Sequence, residues 1–163
     1  MKSRLINATH VEGILYEHNL EFKVSGEQSK NPGTQYIRGS ISIATNDALT
    51  NIVPIFFTYV TAKTNKGTDN KTYEMLSNIL NGVSLTYMAT GNVETAQKLR
   101  IDSGLNLNEF FTDRDGVDTF VSSKRVEGGF IHPVTQLNPS EKDRATFDVD
   151  MFINKVREVE ENE

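Results

Sequence analysis

The sequence predicts a mainly β domain: a Greek-key barrel of five or more strands, with one helix between the third and fourth main strands and an extra hairpin. Three observations carry this. Apolar and polar residues alternate with a period of two in several segments between residues 9 and 126. One stretch only, residues 73–80, changes to helical spacing with Tyr73, Leu76 and Leu80 in register. Clusters of Gly, Pro, Asn, Asp, Ser and Thr at 25–34 and 45–51 punctuate the strands.

Taken in order, residues 9–16 place Val11, Gly13 and Leu15 on one face, and Gly13 suits a bend or bulge. Leu20, Phe22 and Val24 alternate with Glu21 and Lys23, as a continuation of that strand or as its hairpin partner. A long polar loop turns at Asn31-Pro32-Gly33 and feeds the central pair. There Ile37, Ile41 and Ile43 oppose Tyr36, Arg38, Ser40 and Ser42, so one face is buried and the other wet. Residues 52–60 are apolar on both faces, which means a strand covered twice or one that displays aromatic rings to a ligand. After a loop bearing Lys63, Lys66 and Lys71, Asp69 or Asn70 caps the helix and Asn81-Gly82 stops it.

Val83, Leu85 and Tyr87 alternate and predict a short strand, followed by a polar connection over 89–98. A long strand then sets Leu99, Ile101, Leu105, Leu107 and Phe111 against Arg100, Asp102, Asn106, Asn108 and Phe110. Residues 112–117 predict a turn, 119–126 a further strand, and Gly128-Gly129 a sharp corner before an extended piece. Phe147, Val149, Met151 and Ile153 predict a last strand that runs into an acidic tail. The domain boundaries are 1–138 for the barrel and 139–163 for the terminal strand and tail, where a further domain could begin.

The 163 residues fit a single domain. No apolar run approaches the ~18 residues of a membrane span, and no signal core follows the first residues, so a cytoplasmic protein without membrane contact is expected. Cysteine is absent, which excludes disulfides and thiolate metal sites. The net charge of −5 is uneven: residues 1–126 hold 13 basic and 13 acidic side chains, and residues 127–163 hold 4 against 9. A basic patch on the neutral body must therefore be local. His10, His18 and His132 lack metal-ligand spacing, Asp148 and Asp150 lack a third ligand, and Asp113-Arg114-Asp115-Gly116 lacks the later ligands of a calcium loop. Neither a cofactor, a metal nor an enzymatic activity is expected.

The order of strands around a single helix is that of the OB-fold. Val11-Glu12-Gly13-Ile14-Leu15, the segment 39–46 (Gly-Ser-Ile-Ser-Ile-Ala-Thr-Asn) and Val53-Pro54-Ile55-Phe56-Phe57 are similar to the first three strands of bacterial and phage single-stranded DNA-binding proteins. The resemblance implies binding of single-stranded DNA with little sequence preference, in replication or recombination, in the cytoplasm of a cell or of a phage host. Under this reading a homo-oligomer, and replication or recombination proteins bound through the acidic tail, are candidate partners, although the resemblance does not itself imply recruitment through the tail. Two features depart from the family: tryptophan is absent, and the tail ends at Glu163 without a short apolar tip.

Such binding needs cations for phosphate and flat side chains for bases. The candidates are Tyr36 and Arg38 on the wet face of the central strand, Phe56 or Tyr59 on the next, Lys63 and Lys66 in the loop, and Arg100, Phe110, Lys124 and Arg125 on the later strands. Core packing competes for each aromatic residue, and ordinary solvation for each loop lysine. The alternative is a protein-binding or structural β domain of a phage or multi-protein assembly, which needs only the exposed apolar strand and the acidic tail.

Overall fold

The structure is a computed structural model that describes residues 5–150. Six strands form one sheet: β1 (Asn7–Val24), β2 (Gln35–Ala44), β3 (Ile52–Thr61), β4 (Lys98–Arg114), β5 (Val117–Pro133) and β6 (Ala145–Val149). Helix α1 (Lys71–Leu80) and the short α2 (Tyr87–Thr90) lie between β3 and β4. The order β2-β3-β5-β4-β1-β6, with β1 also paired to β2, closes five strands into a ring and leaves β6 as an appendage. All neighbouring pairs are antiparallel except β3 and β5, which run parallel over a short register at Ile55–Val126 and Phe56–Glu127.

Ring closure depends on β1, which is long enough to serve several neighbours. Its first half pairs with β4 and β6, its second half with β2, and the register shifts between Leu15 and Glu17. A side chain at Gly13 would strike the Ala44 carbonyl, so the absence of a Cβ lets β1 and β2 cross closely there. Residues 20–24 thus continue the first strand. They are not a hairpin partner.

The inward rows meet inside the ring. Leu15, Ile37, Ile41, Ile43, Ile55, Leu99 and Ile101 are fully buried, and α1 closes the core with Met75, Leu76 and Ile79. Each such side chain stabilises the fold by about 1.5–3 kcal/mol relative to exposure. The Asn70 side chain caps α1 by accepting from the Thr72 amide at 3.1 Å, one of the two caps expected.

Several local expectations are corrected. Residues 83–87 do not form a strand: Thr86 caps α2, whose Tyr87 stacks on Tyr16 of β1 at 5.6 Å. The alternation there reflects a capped turn in which Ser84 and Thr86 are buried and Val83 is exposed. There are consequently two helices between β3 and β4. The turn expected over 112–117 contracts to Asp115-Gly116, whose φ values of 56° and 81° suit a two-residue hairpin turn. Gly128-Gly129 does not end a strand. It forms a bulge within β5, where Gly128 and Gly129 face the single residue Ser103 of β4.

Beyond residue 138 the described residues pack on the ring. Arg144, 5% exposed, donates to the carbonyls of Asn138 at 2.6 Å and Thr45 at 3.3 Å and to the Asp47 carboxylate at 2.7 Å. Glu12 accepts from the Asn138 amide, and β6 then adds to β1. The expected last strand is present as Ala145–Val149. Its proposed continuation through Met151 and Ile153, and the acidic tail, lie outside the described residues.

Candidate nucleic-acid interface

The outward surface of β1, β2, β3 and β5 is the face that gathers most of the candidate residues. Cross-strand partners share a face, so Lys23, Glu21 and Asn19 of β1 stand beside Tyr36, Arg38 and Ser40 of β2. Ser40 in turn faces Phe56 of β3. Residues 56 and 59 would leave a regular strand on opposite sides. The register shift between Ile37 and Gly39, where Arg38 alone is set against Thr58 and Tyr59 of β3, turns both Phe56 and Tyr59 outward. The Tyr36 and Tyr59 rings lie 4.5 Å apart, and the Tyr59 hydroxyl is 3.2 Å from the Ser25 hydroxyl.

Phe56 lies at the middle of this face. The Arg125 guanidinium of β5 sits over its ring at 4.9 Å, a cation–π contact. On one side, Arg38, Asn19, Ser40, Thr58 and Arg125 line a depression of about 290 Å³ with Phe56. On the other, Phe56 and Arg125 join Phe110, Asn108 and Val121 around a second of about 550 Å³. Phe110 projects from the β4–β5 ribbon on the same side as Arg125, since Asn106 pairs with Arg125 and Phe110 with Val121. A third depression, of about 490 Å³, runs past Tyr59 to Lys63.

Each central cation has a carboxylate partner. Glu21 accepts from Arg38 at 2.6 Å and from Lys23 at 3.1 Å; these two hydrogen bonds hold its carboxyl below the ordinary value, while Glu21 raises Arg38. Partial burial alone would raise Glu127, but hydrogen bonds from Arg125, Thr58 and Asn106 outweigh it and hold the carboxyl low. Lys63 pairs with Asp69, whose carboxyl is lowered by that hydrogen bond. The face at rest is therefore a row of rings separated by neutralised ion pairs, and phosphate must exchange with carboxylate to reach the cations.

Tyr36, Arg38, Phe56, Tyr59, Phe110 and Arg125 are brought together, with Lys63 at the end of the row. The structure does not bring in the remaining three. Lys66 stands at the tip of the 61–71 loop. Lys124 borders the second depression, but it pairs with Leu107, so its side chain leaves the ribbon on the face opposite Arg125. Arg100 lies across the ring beside Glu12 of β1 and His132 of β5, with its Nε 3.3 Å from Asp102. Sequence reasoning missed Glu21 and Glu127, because acidic partners on other strands become visible only with the register. Asn19, Asn106 and Asn108 were also missed, although their place on the polar side of alternating strands was a usable signal.

Among the described residues, no group of three or more His, Asp or Glu side chains is placed to hold a metal ion, and no helix is long and apolar enough to cross a membrane. By fold and surface this is a mainly β protein with a closed five-stranded ring that displays an aromatic, ion-paired outer face. The YorF family model matches residues 6–163, and the chain belongs to that family. No curated protein matches it.

Proposed function

We propose that the chain is an OB-type domain that binds single-stranded DNA with little sequence preference along the outward face of β1, β2, β3 and β5. One observation carries this: Tyr36 with Tyr59, Phe56 and Phe110 form successive aromatic platforms on a single face, with Arg38 and Arg125 between them. Stacking on such platforms is sequence-tolerant because every base has a flat face, and the arginines between them can contact phosphate. The ring order, the parallel β3–β5 pair and the helix between β3 and β4 support the OB assignment. In that fold the β2–β3 face and the β1–β2 and β4–β5 loops hold oligonucleotides, and here the 25–34 loop and the β4–β5 ribbon flank the aromatic row.

The test is a fluorescence anisotropy titration with labelled oligo-dT and a matched duplex at two salt concentrations. Salt-sensitive binding to the single strand alone is expected. Removing one stacked base costs about 1–3 kcal/mol, so Phe56→Ala weakens binding by about 5- to 150-fold. Phe110→Ala does the same with little effect on thermal stability, because Phe110 is 45% exposed outside the core. Equal affinity for single strand and duplex, or a Phe56→Ala/Phe110→Ala double variant with unchanged affinity, refutes the assignment.

A further inference from the structure

We propose that the β4–β5 arm is a self-association surface, whose core-side face packs antiparallel against the same face of a second copy of this chain. The apolar row of β4 that is buried at Leu99 and Ile101 does not stop where the ring ends. It continues through Leu105 and Leu107 to Phe111, with Phe120 directly across on β5. On the arm these side chains leave the core: Leu107 is 58% exposed, Phe111 72% and Phe120 53%. The Phe111 and Phe120 rings lie 5.2 Å apart and make one apolar plate. Within the arm the two strands pair only with each other, and among the described residues nothing covers Leu107, Phe111 or Phe120. A two-stranded ribbon is marginal by itself and gains stability when a second layer is laid on its apolar face.

The charges on this face identify the layer. Alternate rungs from base to tip are Leu107–Lys124, Glu109–Ser122, Phe111–Phe120 and Asp113–Asp118. The cation is at the base and a pair of carboxylates is at the tip. Two copies laid parallel would stack like charge on like charge. Laid antiparallel about a two-fold between the second and third of these rungs, Lys124 of each copy approaches Asp113 and Asp118 of the other, and each aromatic plate lies over the Glu109–Ser122 rung of its partner, one rung from the partner's own plate. Lys124 has no ion-pair partner among the described residues of its own chain. Such a dimer leaves Phe110 and Arg125, on the opposite face of the ribbon, uncovered.

The experiment is sedimentation velocity of the full chain over a concentration series, without nucleic acid, so that its outcome is independent of the DNA-binding proposal. A reversible dimer is expected. Phe111→Ser with Phe120→Ser shifts it to monomer while thermal unfolding is retained, since both rings stand outside the core. Lys124→Glu weakens the dimer about tenfold, and adding Asp118→Lys restores it. The two positions are roughly 20 Å apart along one strand, so restoration can come only from contact between chains. A monomer at every concentration overturns the proposal. So does a dimer that is indifferent to the serine substitutions, association that appears only when oligo-dT is added, or a charge exchange that fails to restore the dimer.

Discussion

Glu21 holds Arg38 and Lys23 at once, and Glu21→Gln tests whether those two cations meet phosphate. In the resting face both cations lie within 3.1 Å of one carboxylate. A strand that reaches them must first displace Glu21, so part of their counterion release is already spent within the protein. The amide removes the competing charge and keeps the size of the side chain. For single strands each phosphate neutralised contributes about −0.7 to the slope of log K against log salt, so two freed cations steepen it by up to about 1.4. Over a fourfold rise in salt this is roughly a sevenfold additional loss of affinity, on top of tighter binding at low salt. Anisotropy titrations with labelled oligo-dT across a salt series measure both quantities. The fold is scarcely affected, because the Glu21 side chain is nearly half exposed and its ion pairs lie at the surface. If Glu21→Gln leaves affinity and slope unchanged in a protein that binds oligo-dT, Arg38 and Lys23 do not contact the backbone and that part of the site is wrong.

Two further predictions concern the fold. Arg144→Ala leaves the buried Thr45 carbonyl and the half-buried Asn138 carbonyl without their donor, at a cost of about 2 kcal/mol, which lowers the thermal midpoint by about 4–8 °C for a chain of this size. Calorimetry checks this, and an unchanged midpoint would show that the 139–145 segment does not stabilise the ring. Glu127 has a folded-state pKa held below its unfolded value, so its contribution is present above the ordinary carboxylate range and is lost as pH falls through the folded value. Denaturant titrations on the acid side should therefore show a smaller decline for Glu127→Gln than for the wild type, and parallel declines would rule out the linkage.

For the principal strands the sequence was enough, whereas the same alternation over 83–87 belongs to a capped turn. The isoleucines of β2, the helical spacing of α1 and the long alternation of β4 follow from one-dimensional periodicity, because side-chain direction within an element repeats every two or 3.6 residues. Most cations and rings of the candidate face were legible for the same reason: an alternating strand tells which residues point away from the core. The bulges were not legible. A single extra residue in β3 puts both Phe56 and Tyr59 outward, and another at Gly128-Gly129 carries β5 past its expected corner. Bulges arise from the partner strand, which local sequence does not specify.

By itself, the sequence determined a mainly β chain without cysteine, its principal strands and α1, an acidic C-terminal segment and an overall neutral body. Only the tertiary structure decided that β1 serves β2, β4 and β6 together, that β3 and β5 meet in parallel to close the ring, and that Arg100 faces away from Arg38. It also decided that Arg38 and Arg125 rest against Glu21 and Glu127. Direction along one strand is a local property of the backbone. Which strands are neighbours, and which charges therefore neutralise each other, depends on contacts between residues as far apart in sequence as 55 and 126, where only the closed ring sets the distance.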